Sequence, residues 1–128
     1  MVDRRQHPRH TARKGTYVAM LQGSPRMGQL VDVSLGGLSF QYIEHEAPAS
    51  PAKEAQILIG DDSVYLEELP GIVVDDFPIS ERYTHDRISS QAHSLRHVRQ
   101  RRLKFGSLSE DQKAQLAYFI RYRTDKAA

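Results

Sequence analysis

The strand-like runs of this chain are short and heavily punctuated, and this limits its possible folds more than any other feature. "TYVAML" (16–21), "QLVDVS" (29–34), "LSFQYI" (38–43), "AQILI" (55–59), Val64–Leu66 and a run centred on Ile72–Val74 are rich in β-branched, aromatic and aliphatic residues. Turn residues separate them in "QGSPRMG", "GG" at 36–37, "EAPASPAKE" and "GDDS", and the last run lies within "LPGIVVDD". In "LSFQYI" Leu38, Phe40 and Tyr42 alternate with Ser39 and Gln41, so one face of that strand is apolar and the other polar. Strands this short, with turn signals roughly every ten residues, bury their apolar faces by closing on one another as an antiparallel barrel. Val98–Phe105 ("VRQRRLKF") reads as the last strand, although Arg99, Arg101, Arg102 and Lys104 blur which parity faces inward.

A single helix follows. Ser109 with Gln112 three positions on matches a capping box. Glu110 and Asp111 fall in the first turn, where the helix dipole favours negative charge, and Arg121, Arg123 and Lys126 lie towards the other end. Leu116, Phe119 and Ile120 share one face, with Tyr118 and Tyr122 flanking it. This helix of roughly four turns is expected to cap one open end of the barrel. Residues 76–97 are polar without a sustained period and read as a long loop.

Charge is segregated along the chain. Residues 1–14 carry five positive side chains against Asp3, residues 44–86 carry eleven acidic side chains against Lys53 and Arg82, and residues 87–128 carry ten positive against three negative. Basic ends around an acidic middle point to a localised anion site more than to a uniform nucleic-acid surface. The chain has no cysteine, which excludes disulfides, thiolate metal sites and a cysteine nucleophile. It has no apolar run long enough to span a membrane and no secretory leader pattern at its start, so the cytoplasm is expected; a monomer is expected as well. No nucleophile elbow, phosphate-binding loop or paired-histidine zinc motif is present, so no enzyme activity or cofactor is expected. His85, His93 and His97 sit in the polar loop, where solvated histidines are far commoner than metal ligands, and no metal site is assigned to them.

Two short motifs remain. Arg5 and Arg9 form R-x-x-x-R inside the basic opening "DRRQHPRH", with Arg4 just before; Arg9 and Arg13 also fit the spacing. Arg5/Arg9 is preferred, because Pro8 keeps that stretch extended while Arg13 lies close to the first strand. Asp32, Ser34 and Gly37 form D-x-S-x-x-G at a strand end, where Asp32 and Ser34 share a face and Gly36 and Gly37 turn the chain without side chains in the way. Alone, this second motif is equally a β-turn whose Asp and Ser bond their own backbone.

In this order, with one strand between them, the two motifs resemble those of the PilZ domain, a bacterial receptor for the second messenger cyclic di-GMP. "RRLKFGSLSEDQKAQLAYFI" resembles its last strand, turn and helix. The resemblance implies a mainly β fold: a six-stranded antiparallel β-barrel with a C-terminal α-helix, spanning residues 16–128 behind a flexible basic arm at residues 1–15. It further implies that Arg4, Arg5, Arg9, Asp32, Ser34, Gly36 and Gly37 bind cyclic di-GMP, with an arginine at position 4 accompanying an intercalated pair of ligands. The arginine fork suits guanine O6/N7 and phosphate oxygens, and a carboxylate can accept from the guanine N1–H and amino group. On this reading the arm is a clamp that an anion draws onto the barrel, remaking a surface that an unidentified protein partner reads. Two alternatives stand beside it. One is a PilZ-like interaction module that binds no ligand. The other is a small basic barrel whose Arg99, Arg101, Arg102 and Lys104 line a groove for single-stranded nucleic acid, against which the aromatics are not interleaved with those charges.

Overall fold

The computed structural model describes residues 7–21, 27–43, 54–79 and 98–127. They form eight strands and one helix: β1 (His10–Ala12), β2 (Tyr17–Met20), β3 (Met27–Val33), β4 (Gly37–Ile43), β5 (Glu54–Gly60), β6 (Tyr65–Pro78), β7 (Val98–Phe105), α1 (Glu110–Arg123) and β8 (Thr124–Ala127). All pairings are antiparallel. The sheet runs β2-β5-β6-β7-β4-β3, and a further β2–β3 pairing joins its ends, so six strands close into a barrel. Closure pairs every strand on both sides and leaves the barrel without a free edge.

Alternation places the core as the sequence implied. Leu38, Phe40 and Tyr42 of β4 point inward with Val33, Ile57, Ile59, Leu69, Leu103 and Phe105. The Ser109 side chain accepts from the Gln112 amide while the Gln112 side chain accepts from the Ser109 amide, completing the capping box. From there α1 lays Leu116, Phe119 and Ile120 on the core and leaves Tyr118 and Tyr122 exposed. Leu116 and Phe119 are fully buried, each worth about 1.5–3 kcal/mol of transfer free energy. Gln112 Nε2 also donates to the Glu68 carbonyl (2.9 Å), and Arg123 pairs with Asp61 (2.8 Å), which fixes the helix against the β5–β6 end of the barrel.

Three elements differ from the sequence expectation. Tyr65–Leu66 and Ile72–Val74 belong not to two strands but to one, β6, 14 residues long, and Val64 lies just before it. Its register shifts between Ile57 and Ile59 of its partner, which face Leu69 and Leu66, and Glu68 takes φ 61°, so Glu67–Glu68 form a bulge inside the strand while Leu69, Pro70 and Gly71 stay paired with β5. The basic arm does not run free to residue 15, because His10–Ala12 form β1, paired to Val33 and Asp32 of β3. The helix is not the last element either: after Thr124 the chain turns extended as β8, which pairs with β1 (His10 opposite Ala127, Ala12 opposite Thr124) and carries Lys126 out of the helix. At the end of the polar segment, Asp76–Pro78 belong to β6 and the Ile79 amide donates to the Val98 carbonyl (2.9 Å). Residues 80–97, including His85, His93 and His97, lie outside the described residues.

Candidate functional site

Strand β3 ends in the turn that carries D-x-S-x-x-G. Val33 is fully buried, so its neighbours Asp32 and Ser34 project from the other side of the strand. Asp32 is opposite Ser39 of β4, whose hydroxyl donates to Asp32 Oδ1 at 2.9 Å. Gln100 on β7 donates to the Ser39 hydroxyl (3.4 Å) and accepts from Gln41 (3.2 Å), so a lateral chain of side chains across three strands holds the carboxylate from behind. Among the described residues nothing bonds Asp32 Oδ2.

Ser34 builds the turn. Its hydroxyl oxygen accepts from the Gly36 amide (3.1 Å) and the Gly37 amide (3.2 Å), and its own amide donates to the Gly37 carbonyl (2.8 Å). The need for glycine at 37 comes from the sheet: a Cβ there would stand 2.2 Å from the Leu103 carbonyl oxygen, where β7 passes the turn. At Gly36 the neighbour is the His7 ring, 3.1 Å from where a Cβ would be. The local turn therefore accounts for Ser34 and the close approach of β7 for Gly37, while Asp32 faces outward and is oriented by another strand.

The arm enters beside this turn. Pairing of His10 with Val33 and Thr11 with Asp32 brings the residues just before β1 alongside the end of β3. A cavity of about 260 Å³ opens there, lined by His7, Arg9, Asp32, Ser34, Gly36, Gly37, Leu38, Ser39, Val74, Arg102, Leu103 and Lys104. The structure thus gathers Arg9, Asp32, Ser34, Gly36 and Gly37 around one space, and Arg4 and Arg5 lie outside the described residues. Arg13, the alternative partner of Arg9, sits beyond β1 and pairs with Asp125 of β8 (3.7 Å), away from this lining.

Sequence reasoning does not find His7, Val74, Arg102 or Lys104 as site residues. It places Arg102 and Lys104 in a nucleic-acid groove together with Arg99 and Arg101, but these four do not share a face. Arg101, opposite Phe40, is 2% exposed and turns into the barrel. Its Nε donates to Asp76 Oδ2 (2.8 Å), Arg99 Nε donates to Asp76 Oδ1 (2.6 Å), and the Tyr42 hydroxyl donates to Oδ2 (2.5 Å). The Arg101 guanidinium also stacks over the Tyr42 ring at 5.4 Å and touches Met20 Sδ. Burial alone would raise the Asp76 pKa, but the bonds from Tyr42, Arg101 and Arg99 outweigh it and hold the carboxyl below its ordinary value. Burial and the bond to Asp76 push the Tyr42 hydroxyl above its own. A groove requiring all four cations is therefore not available.

Among the described residues no group of acidic and histidine side chains could hold a metal ion, and no helix is long and apolar enough to cross a membrane. The family model of the PilZ domain matches residues 3–122. The chain belongs to the PilZ domain family, and the closed six-stranded barrel with its C-terminal helix is that fold. Among solved structures it is similar to the PilZ domain of YcgR from Escherichia coli with cyclic di-GMP, at 19% identity and TM-score 0.68, covering 94% of this chain and 92% of that one. It is also similar to the Bacillus subtilis inhibitor of motility MotI/DgrA (14% identity, TM-score 0.63, 95% of this chain) and to K. pneumonia MrkH in complex with cyclic di-GMP (15%, 0.64, 93%). The chain spans about half the length of these last two, 51% of each. No curated protein sequence matches it.

Proposed function

We propose that this chain is a cyclic di-GMP receptor and adaptor rather than an enzyme, and that it binds the nucleotide in the pocket between the N-terminal arm and the outer face of β3, β4 and β7. The observation that carries this reading is the meeting of Arg9, from one motif, with Asp32, Ser34, Gly36 and Gly37, from the other, around one cavity. The YcgR and MrkH structures, which share the fold, are complexes with cyclic di-GMP.

In the bound state Arg5 and Arg9 take guanine edges and phosphate oxygens through their planar forks. Asp32, already oriented by Ser39, uses its open oxygen to accept from the guanine N1–H and amino group. Ser34, Gly36 and Gly37 form the floor, where a ligand oxygen replaces the Ser34 hydroxyl as acceptor for the two glycine amides. Charge-assisted bonds contribute about 1.5–3 kcal/mol each, so three or four of them, less ordering costs, give affinity on the order of micromolar. Arg4 supplies the cation that an intercalated pair of ligands needs, giving two ligands per chain. Ordering of the arm then remakes the surface that a protein partner reads.

Calorimetric titration with cyclic di-GMP, using GTP and a short single-stranded oligonucleotide as controls, tests the reading. Saturable binding of cyclic di-GMP alone is expected, with at least tenfold weakening in Arg5→Ala and in Arg9→Ala. Arg4→Leu is expected to lower the ratio from two towards one with binding retained. Absence of binding by the wild type overturns the reading, and full affinity in both alanine variants overturns the roles of Arg5 and Arg9.

A further inference from the structure

Arg102 and Lys104 belong to neither motif, yet both line the pocket. They stand two residues apart on β7, and their neighbours Arg101, Leu103 and Phe105 are buried on the other side, so both side chains leave the outer face of the barrel. Register sets them beside the site: Ser39, which holds Asp32, is opposite Arg102, and Gly37 is opposite Lys104. At strand spacing their Cα atoms are roughly 6.7 Å apart, far enough for each cation to take a different oxygen of one ligand. Strand β7 is paired along its length with β4 on one side and β6 on the other. These cations are consequently attached to the most constrained part of the barrel, whereas Arg9 stands just outside a three-residue strand.

Their partners differ in an informative way. Among the described residues the Lys104 ammonium has no hydrogen-bond or ion-pair partner. The Arg102 guanidinium stands 3.8 Å from Asp75 Oδ2, and both side chains are nearly half exposed, at 42% and 48%. An ion pair this open to water is weak and readily exchanged for a better anion. The pocket therefore offers three cations, Arg9, Arg102 and Lys104, against the single lining carboxylate of Asp32.

We infer that Arg102 and Lys104 form a fixed cationic wall that binds ligand phosphate opposite the arm, and that Asp75 holds Arg102 in place until the phosphate displaces it. The inference rests on the cyclic di-GMP reading and adds to it a phosphate subsite supplied by the barrel. Preorganised charges cost little ordering on binding, so the wall contributes affinity without waiting for the arm to settle.

The test is calorimetric titration of the full chain with cyclic di-GMP, comparing wild type with Arg102→Gln combined with Lys104→Gln. A second pair, Lys113→Gln with Arg121→Gln, removes the same charge from exposed positions on α1. The wall variant is expected to bind at least tenfold more weakly and with a smaller salt dependence, the helix variant within twofold of wild type, and Asp75→Asn two- to fivefold more tightly. Circular dichroism melts confirm that each variant is folded. A wall variant that binds like wild type while Arg9→Ala is impaired overturns the wall and leaves the receptor reading standing. Equal losses in the wall and helix variants reduce the effect to net charge and also overturn it. If Asp75→Asn does not bind more tightly, the exchange role of Asp75 falls. Wild-type protein that binds no cyclic di-GMP removes the receptor reading and the wall together.

Discussion

The two halves of β7 put the same chemistry to opposite uses. Towards its start, Arg99 and Arg101 face one carboxylate, Asp76, which both of them grip together with Tyr42, inside or at the rim of the barrel. Towards its end, Arg102 and Lys104 face out to the pocket, one loosely paired and one unpaired among the described residues. Residue type does not distinguish them; strand parity and the nearest carboxylate do. The first pair is satisfied and structural. The second is available to an incoming anion, and adjacent positions 101 and 102 lie on opposite sides of that divide.

The largest effect that can break this contrast is on Asp76. Asp76→Ala removes the carboxylate that Arg99 and the buried Arg101 share, and losing one partner of such a group costs about 3–5 kcal/mol. Urea denaturation should show that loss, while the folded variant should keep most of any cyclic di-GMP affinity that the wild type shows. A cost below about 1 kcal/mol would mean that the inner half is as replaceable as the outer one.

Titration of the inner cluster sharpens the contrast further. Asp76 is held below its ordinary value of 3.8, so its contribution to stability is complete above that pH and is lost as pH falls through the depressed folded value. Tyr42 is held above its ordinary 10.0, so its contribution is complete below that pH and is lost as pH rises through the raised folded value. Stability should therefore form a plateau with a limb on each side. Asp76→Asn should flatten the acid limb only in part, because Asp61 is also held low: burial would raise it, but the Ser63 and Val64 amides and Arg123 outweigh that. Tyr42→Phe should remove the alkaline limb. Denaturation midpoints across pH measure both, and unchanged limbs would refute the cluster as their source.

The smallest expected effect lies in the outer half. Arg102→Gln with Lys104→Gln should change stability by no more than about 0.5 kcal/mol, the ordinary range for exposed positions. A loss above about 2 kcal/mol by denaturation would make these residues structural after all and erase the distinction.

Legibility in the sequence followed the range of the interaction. The alternation of Leu38, Phe40 and Tyr42 and the capping box at Ser109 are local patterns, and the barrel strands and α1 came directly from them. Strand β1 is three residues of "HTA" and exists because β3 and β8 flank it, so no local propensity announces it. The bulge at Glu68 divides one strand into two apolar stretches in sequence, because the two unpaired glutamates carry no apolar side chain that would continue either of them. For the site, D-x-S-x-x-G was visible as a motif, but Arg102 and Lys104 join it only through the register of β4 with β7, more than sixty residues later in the chain. One signal was present: Leu103 and Phe105 share a parity that turns Arg102 and Lys104 outward. Arg101 hid it by placing a buried cation on the apolar parity.

The short strand β1 also sets how the R-x-x-x-R motif can work. Because His10 is pinned to Val33 on one side and Ala127 on the other, Arg9 is the first residue outside a fixed anchor. Arg5 is four residues upstream, and four residues of fully extended chain reach at most about 14 Å. On the proposed receptor reading, that covalent length is the longest tether by which the other arginine of the motif could reach a ligand at the pocket. A tether this short keeps a binding group at a local concentration in the millimolar range or above. If Arg5 binds the ligand as proposed, its capture is an intramolecular step, largely independent of how much protein is present. Lengthening the tether between Arg5 and Arg9 would dilute that group, while leaving every contact chemically possible.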